Sequence, residues 1–279
     1  MPYNTLVRLS MIKRIISKRN RVLLGEMIRT DFKLRYQGSV LGYLWSLLKP
    51  LMLFAILYTV FTQFLRIGKG VPNYPISLLL GIVLWSFFTE ATSNSLKSIV
   101  GRGSLIRKIN VPRYLIPVSV ISSAFVNLLL NLIVVFIFVL LTKNTPLSWE
   151  TLIIFPILLM ELVVVTVATG FFLSAVYVKY RDIEHIWDVV RQALFYAIPI
   201  IYPLTLISSI SIQKLLSLNP LAQIIQDARA VVTYGGTTQL TDLYASPLIY
   251  LVPLGLIIVA LLISSTYFRK HSKYFAEDV

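Results

Sequence analysis

Two carboxylates lie inside long apolar stretches of the sequence, where charged side chains are rare. Glu161 is near the middle of LIIFPILLMELVVVTVATGFF, and Glu90 is nearer the end of its own stretch. A charge at the centre of a bilayer costs about 3 kcal/mol or more, so such residues normally face protein or water. Glu161 therefore either lines a pathway or is neutral and bonded to a neighbouring helix, and Glu90 is expected to reach water. Asn127 and Asn131, four residues apart, share a helix face, which is typical of contacts between helices.

Aromatic side chains form a second group of chemical interest. Many Trp and Tyr residues fall at the ends of the apolar stretches, where an interfacial belt explains them. Aromatic faces also stack on sugar rings, so a conduit for sugar polymers would use some of them, although packing toward lipid is the simpler explanation for any single residue. The candidates for lining a pathway, together with the two carboxylates, are Tyr58, Trp85, Phe88, Tyr196 and Tyr202.

Motifs for covalent chemistry are missing from the sequence. It contains no G-x-x-x-x-G-K-[ST] phosphate loop, no H-E-x-x-H and no G-x-S-x-G. There is no Cys and there are two His, so we predict neither a thiolate site nor a metal site. The residues that come nearest to an enzyme-like cluster are Asp182, Glu184, His185 and Asp188. The sequence predicts that this chain is not an enzyme.

The composition indicates the solvent in which these residues lie. The chain has 279 residues, of which 57% are hydrophobic and 14% are charged, with 26 Lys and Arg against 12 Asp and Glu. Soluble domains have about 25% charged residues, so the composition argues against a water-soluble enzyme. Four Trp, 15 Tyr and 15 Phe are too many for a disordered chain. The chain is predicted to be an integral membrane protein.

Long apolar stretches predict an all-α fold with six transmembrane helices in a domain covering residues 47–268. A helix needs about 20 mainly apolar residues to cross a bilayer. The six stretches are 47–65, 76–96, 115–141, 152–178, 193–210 and 247–268. Pro199 and Pro203 interrupt the fifth, and a proline inside a helix removes a hydrogen bond. That stretch is predicted to be a broken or re-entrant helix.

Residues 1–46 are predicted to form a cytoplasmic segment that contains a basic amphipathic helix. One set of apolar residues recurs at three- and four-residue spacing at Leu6, Leu9, Ile12 and Ile16. A second apolar face lies opposite Arg21, Arg29 and Lys33 and is formed by Leu23, Leu24, Met27, Ile28 and Phe32. Such helices lie in the plane of the lipid headgroups, and the alternative is a surface helix packed on protein.

Basic residues predict the orientation. Residues 1–49 carry ten Lys and Arg, 97–113 carry five, and 179–191 and 269–279 carry three each, so 21 of the 26 lie on one side of the predicted membrane. Short basic loops stay in the cytoplasm, so both termini, including the tail 269–279, are expected there. Because the membrane accounts for these charges, we do not expect nucleic-acid binding.

Three connecting segments have patterns of their own. LKSIVGRGSLIRKINVPRYLIP mixes basic residues with exposed apolar residues such as Leu105 and Ile106, which suggests a docking surface for a soluble partner. In the second inner loop, Arg181, Asp182 and Glu184 pair with one another or with a partner, or form a solvated face. A short outer helix is predicted between Asn219-Pro220 and Gly235-Gly236, with an apolar face at Leu221, Ile224, Ile225 and Ala228.

Four fragments, in order and spread over nearly the whole chain, resemble the ABC type-2 transporter permeases. They are RYQGSVLGYLWSLLKPL (Arg35–Leu51), LIRKINVPRYLIPVS (Leu105–Ser119), YVKYRDIEHIWDVVRQALFYAIPIIYP (Tyr177–Pro203) and LNPLAQIIQDAR (Leu218–Arg229). The similarity is to the subgroup that exports polysaccharide, O-antigen and teichoic acid.

This resemblance implies a half-transporter in a bacterial cytoplasmic membrane. Two permease chains would form one channel, each docked to a separate ATPase chain that binds ATP and Mg, with no cofactor in the permease itself. The substrate would be a lipid-linked polymer whose pyrophosphate meets Arg29, Lys33 and Arg35 beside a lateral gate, next to membrane lipid. Short gate helices would precede the last span on the outer side. A cytoplasmic coupling helix would transmit movement through Lys97, Gly101, Arg102, Leu105, Ile106, Arg107 and Lys108.

Other functions remain open from the residues alone. The chain could export a small lipid or drug, act as an integral-membrane enzyme on lipid-linked sugars, or form an ATP-independent channel. Aromatic content and the resemblance favour polymer export.

Overall fold

The computed structural model describes residues 18–35, 38–39, 41–42, 44–66, 72–108, 111–142, 149–233, 237–244 and 246–278. All regular secondary structure in these ranges is helical, which confirms the predicted all-α class. The α-helices, numbered along the chain, are α1 (Lys18–Arg35), α2 (Leu44–Tyr58), α3 (Tyr74–Gly101), α4 (Gly103–Lys108), α5 (Leu115–Leu141), α6 (Trp149–Lys179), α7 (Ile183–Ala197), α8 (Ile210–Ser217), α9 (Pro220–Thr233), α10 (Leu240–Tyr244), α11 (Leu251–His271) and α12 (Phe275–Asp278).

Five helical segments within the described ranges are long and apolar enough to cross a membrane. They agree with five of the six predicted stretches to within a few residues, and they are Leu44–Phe64, Tyr74–Gly101, Leu115–Leu141, Thr151–Lys179 and Pro247–His271. The first of these segments consists of helix α2 and a wider π-helical turn that follows it at Thr59–Phe64. The integral-membrane prediction is therefore supported by five apolar helices.

The predicted stretch 193–210 is not a continuous helix. Helix α7 ends at Ala197, and Ile198 has an extended backbone, with φ of −80° and ψ of 136°. The residue before a proline is driven out of the helical region, so Pro199 explains this end. A short 3₁₀ turn at Leu204–Leu206 and helix α8 follow. The broken form that the two prolines predicted is the one observed.

Helix α3 is the centre of the bundle, because it packs against α2, α5, α6 and α9. Its apolar residues form the core with those of α5, α6 and α9. Gly170 lets α6 approach α3 and α5 closely, since a Cβ there would lie 2.7 Å from the Ser95 hydroxyl and 3.0 Å from the Ile121 side chain. Small residues of this kind let membrane helices pack tightly.

Helix α1 lies against α5. Its half-buried Met27 packs against an apolar cluster that includes Ile99, Phe268 and Phe275. Arg29 and Lys33 are exposed. The amphipathic pattern is thus used at least partly for protein packing, and the position of α1 in the headgroup plane stays a prediction. The first predicted amphipathic set, Leu6, Leu9, Ile12 and Ile16, lies outside the described residues.

The chain end predicted as a tail is folded. Helix α11 extends to His271, and α12 follows after a turn and packs against α4 and α6. Phe275 is 1% exposed and contacts Phe268 of α11 at 5.4 Å between ring centroids. The sequence pattern did not predict this docking, because one buried aromatic in a charged segment gives no periodic signal.

Candidate functional site

One end of the bundle, called the basic end below, collects the ends of α3, α6 and α11 and the starts of α5 and α7. Among the polar contacts described there, three join a basic side chain to a segment that is distant in sequence. They are Arg102 with Asp31, Lys97 with Glu184, and Arg113 with the Ser272 carbonyl. The opposite end has the starts of α3, α6 and α11 and the end of α9.

Arg102 joins three elements at the basic end. It lies between α3 and α4, and its guanidinium forms an ion pair with Asp31 of α1. The same guanidinium donates to the Ser119 hydroxyl of α5 at 2.8 Å. Both charged side chains are about one-fifth exposed, at 21% and 19%. The predicted coupling residue Arg102 therefore holds the α3–α4 junction against α1 and α5.

Lys97 and Glu184 link α3 to α7. The two side chains lie 2.5 Å apart, and the Tyr177 hydroxyl donates to the other Glu184 oxygen at 3.1 Å. These hydrogen bonds, first the one from Lys97, lower the pKa of the Glu184 carboxyl from its ordinary value. The sequence assigned these residues to two separate loops. The structure brings them together because α3 extends past the predicted end at residue 96 to Gly101.

The other residues of the second inner loop point to water. Arg181 and Asp182 are exposed, and the Arg181 guanidinium lies 5.2 Å from the ring centre of Tyr177. Asp188 and Arg191, one turn apart on α7, form an ion pair at 2.9 Å. Arg181, Asp182 and Glu184 are thus not one cluster, since Glu184 alone of the three pairs with α3 in the described structure.

Helix α4 carries the predicted docking residues. Gly101, Arg107 and Lys108 are exposed, and Leu105 is half-buried. Ile106 is also half-buried, and it packs against the protein's own cluster of Ile99, Ile116, Ala175, Val178, Phe268 and Phe275. A partner could therefore contact Leu105 and the basic residues, whereas Ile106 contributes to folding.

The predicted phosphate contacts lie on α1. Arg29 and Lys33 are exposed, and Arg35 is the last residue of that helix. Two other cations, Lys49 and Arg191, line a groove between the helices.

A polar groove of about 480 Å³ lies between α2, α3, α5 and α7. Residues with polar groups make up much of its wall, including Lys49, Ser86, Glu90, Asn127, Asn131 and Arg191. The Asn127 amide donates to Glu90 at 3.0 Å, and the Asn131 amide donates to the Ser46 carbonyl of α2 at 3.2 Å. The two asparagines thus make the helix contacts that their spacing indicated. Glu90, predicted to reach water, lines this groove.

The five aromatic candidates divide into two groups. Trp85 and Phe88 are buried, at 6% and 2% exposed, and pack against Phe195 and Trp187 of α7. The remaining three, Tyr58, Tyr196 and Tyr202, are more accessible.

Among these three, Tyr196 is 59% exposed. Tyr202 is half-buried, and its hydroxyl donates to the carbonyl groups of Tyr196 and Ala197. Tyr58 is also half-buried and stacks on Phe54. Tyr196 is therefore accessible without movement of the core.

Glu161 of α6 lies near Gln223 and Asp227 of helix α9. Gln223 donates to Asp227 at 2.8 Å, and the Tyr250 hydroxyl donates to Asp227 at 3.2 Å. The two alternatives for Glu161, lining a pathway or bonding to a neighbouring helix, both stay predictions. The cluster connects α6, α9 and the start of the last span.

Arg229 is a buried residue whose importance the sequence reading missed. It is 3% exposed, and its guanidinium donates to the Ser77 carbonyl at 2.8 Å, to the Pro199 carbonyl at 2.7 Å and to the Ile200 carbonyl. Gly81 leaves room for it, because a Cβ there would collide with the guanidinium. The sequence contains an indication of this role. Two prolines leave backbone carbonyls without helical hydrogen-bond partners, and Arg229 lies four residues after Ile225, on the apolar face of the predicted outer helix.

Comparison with known proteins identifies the family of this chain. Residues 23–232 match the family model described as ABC-2 type transporter. The chain is 28% identical over 260 residues to the O-antigen export system permease protein RfbA of Myxococcus xanthus, covering 93% of this chain and 96% of that one. It is 31% identical over 214 residues to the protein of the same name from Klebsiella pneumoniae, covering 76% and 81%. The chain belongs to the ABC-2 type transporter family, as a membrane-embedded transport subunit and not an enzyme.

Proposed function

We propose that this chain is the permease subunit of an ATP-driven exporter that moves a lipid-linked polysaccharide of the O-antigen type across a bacterial cytoplasmic membrane. The observation that carries the proposal is the similarity to an O-antigen export permease over 93% of the chain. The chain itself performs no covalent step. It would form the path through the membrane, and a separate ATPase would supply the free energy of ATP hydrolysis.

A sixth crossing, made by α7 and the broken segment after it, completes the path. Near its start, Glu184 pairs with Lys97 at the basic end of α3. Beyond its end, the Ile201 carbonyl accepts a hydrogen bond of 2.7 Å from Tyr74, the first residue of α3. Because α3 is long enough to span the membrane, the segment 184–201 covers the same depth. This supports six crossings with both termini on one side.

The basic end is assigned to the cytoplasm. It holds Lys97, Arg102 and Arg113, as the excess of basic residues in cytoplasmic loops requires. At the other end, Asn73 donates to the Thr233 carbonyl and Thr151 to the Val231 carbonyl. These bonds support an outer position for the end of α9, with α8, α9 and α10 as the short gate helices before the last span.

The polar groove would form part of the route for the polymer head. Phosphate oxygens accept strong hydrogen bonds from cations, and Lys49 and Arg191 line the groove. Arg29, Lys33 and Arg35 of α1 would meet the pyrophosphate earlier, at the inner surface. Tyr196 and Tyr202 would stack on sugar rings. Because α2 buries little of its surface within one chain, a second copy would complete the conduit.

Docking of the ATPase is assigned to the exposed side of α4. Leu105, Arg107 and Lys108 would contact it, and Arg102 would pass its movement to α1 and α5 through Asp31 and Ser119. The partner would bind ATP and Mg, which fits a sequence without a phosphate loop. The complete assembly would contain two permease and two ATPase chains.

The test is co-purification of the full-length chain with the ATPase encoded beside it. We expect a stable complex with ATPase activity, and we expect Leu105→Asp to detach or uncouple the ATPase. Ser104→Asp is the matched control, because Ser104 is exposed on the same helix and receives the same charge. Retention of the ATPase and of its coupling in Leu105→Asp would reject α4 as the docking helix. Failure of the ATPase to bind the folded wild-type chain would reject the proposed function.

A further inference from the structure

A second cavity, separate from the polar groove, lies at the basic end where α5 begins and α11 ends. Its volume is about 310 Å³. No Asp or Glu is among the described residues that line it, which include Ile106, Arg113, Tyr114, Phe268, Arg269 and Ser272. Leu115–Leu141 and Pro247–His271 are both membrane-spanning segments, so their adjoining ends mark the depth of the lipid headgroups. The cavity therefore combines two arginines with apolar walls at a membrane surface.

Arg113 indicates what this cavity can bind. It is half-buried, and one of its N–H groups donates to the Ser272 carbonyl, which ties the end of α11 to the start of α5. A guanidinium carries five N–H donors. In the part of the chain that the structure describes, no further hydrogen-bond partner is present for this guanidinium. Unused donors on a half-buried cation favour an anionic ligand with several acceptor oxygens.

We propose that this cavity binds the phosphate group of an anionic membrane lipid. Arg113 and Arg269 would donate to the phosphate oxygens, a geometry for which the planar guanidinium is well suited. Ile106 and Phe268 would contact the glycerol and the first methylene groups.

A lipid is favoured over a soluble anion for two reasons. The lining places the apolar residues Ile106, Val111, Pro112 and Phe268 beside the arginines, and basic pockets between membrane helices on the cytoplasmic side are suited to lipid headgroups. The surrounding charge also favours an anion, because Lys270 and Lys273 follow Arg269 in the chain. The negative end of the α11 dipole opposes binding, and the bond from Arg113 to the Ser272 carbonyl offsets part of that effect.

Lipid in this cavity would touch the coupling segment. Ile106 belongs to α4, the helix to which ATPase docking is assigned, and it lines the cavity beside Phe268 of α11. An occupied cavity would hold α4 against the last span. The site is thus a means by which membrane composition could affect coupling, without contact with the exported polymer.

The test uses the full-length chain purified in detergent and titrated with phosphatidylglycerol or phosphatidylcholine, with lipid adducts counted by native mass spectrometry. We expect phosphatidylglycerol to bind more tightly than phosphatidylcholine. Arg113→Gln and Arg269→Gln should each weaken it by about tenfold or more, as expected for loss of a charged hydrogen bond. Lys270→Gln is the matched control, since it removes the same charge from an exposed neighbour outside the cavity, and should change binding less than about twofold.

Arg113 also holds α11, so its variant needs a check on folding by thermal unfolding. If Arg113→Gln unfolds, Arg269→Gln carries the test alone. Equal binding of phosphatidylglycerol to Arg269→Gln and Lys270→Gln would overturn the proposal. So would equal binding of the two lipids. If inorganic phosphate displaces phosphatidylglycerol at equal concentration, the site takes a soluble anion and the lipid assignment is wrong.

Discussion

At the basic end, the ion pairs of Arg102 and Lys97 have side chains that remain between 19% and 57% exposed. At the opposite end, the polar side chains of α9 are almost completely enclosed, with Gln223, Asp227 and Arg229 between 2% and 5% exposed. Both ends join helices that are distant in sequence. The two ends differ in how readily water can hydrogen-bond to the groups of a broken contact.

This difference separates a region suited to movement from one suited to anchoring. Exposed ion pairs contribute about 0–1 kcal/mol, because water solvates the separated charges. A buried carbonyl that loses its donor costs about 1–3 kcal/mol, because nothing replaces the bond. The Lys97–Glu184 contact between α3 and α7 is therefore easier to break than the contacts of Arg229, which hold the proline-broken segment to α3 and α9.

The largest predicted effect comes from Arg229. In Arg229→Met, the Ile200 carbonyl loses its donor, whereas the Pro199 carbonyl keeps a hydrogen bond of 3.0 Å from the Gln226 amide. We therefore expect the free energy of unfolding to fall by about 1–3 kcal/mol. Arg229→Lys keeps the charge but loses the planar arrangement of N–H donors. Its free energy of unfolding should therefore lie between those of wild type and Arg229→Met. Unfolding of the purified chain in detergent provides the measurement.

Lys214→Met is the control for that variant, because it removes a cation from the same outer segment. Lys214 lies over the Tyr244 ring at 5.1 Å and makes no such set of carbonyl contacts in the described structure. Equal stability of Arg229→Met and Lys214→Met would show that the buried contacts do not anchor the broken segment.

A smaller effect is predicted for the Arg102–Asp31 pair. A double-mutant cycle with Arg102→Gln and Asp31→Asn should give a coupling energy of about 1–2 kcal/mol, because the pair is mostly buried and charge-assisted. The same cycle on Asp188 and Arg191, whose side chains are more exposed, should give about 0–0.5 kcal/mol. Equal coupling energies for the two pairs would contradict the assignment of Arg102 as a junction.

The smallest effect is predicted for Lys97 and Glu184, and it depends on pH. The bond from Lys97 lowers the pKa of Glu184 in the folded chain from its ordinary 4.5. A lowered carboxyl pKa stabilises the fold above the unfolded value, and this stabilisation is lost as the pH falls through the folded value. Lys97→Met should therefore unfold at a slightly lower temperature than wild type at pH 7, and the difference should disappear in acid.

Salt provides the control for this pair. Because both side chains are partly in water, raising the ionic strength at pH 7 should also reduce the difference between wild type and Lys97→Met. A difference that is unchanged by acid and by salt would mean that Lys97 stabilises the fold through packing of its methylene groups.

Hydropathy was enough to predict the five apolar helices and the outer helix at Pro220–Thr233, because length and spacing are local properties of the chain. Hydropathy could not predict the contacts of Arg229, because in the sequence this residue is only one of five basic residues on the predicted outer side. Its partner Ser77 is 152 residues away, and that contact depends on how α3 and α9 pack. The fold of α12 against α4 depends in the same way on a tertiary contact, through Phe275.

The candidate site was predicted unevenly for the same reason. Residue type marked Trp85 and Tyr196 as equal candidates, but one is buried against α7 and the other is exposed on it. The pairing of Lys97 with Glu184 required that α3 extend past its last apolar residue, and hydropathy ends a helix where charges begin. Arg102 was named because its loop combines charge with apolar residues and resembles a coupling segment, and its coupling role stays a prediction.

Polymer export by cells tests the central claim most directly. In a bacterium that lacks this chain, surface polysaccharide is measured after complementation with wild type, Leu105→Asp or Ser104→Asp, each at equal membrane abundance. The proposed function predicts surface polymer with wild type and Ser104→Asp, and with Leu105→Asp a loss of surface polymer and a build-up of lipid-linked polymer inside the cell. Surface polymer at the wild-type level in cells without the chain would contradict it.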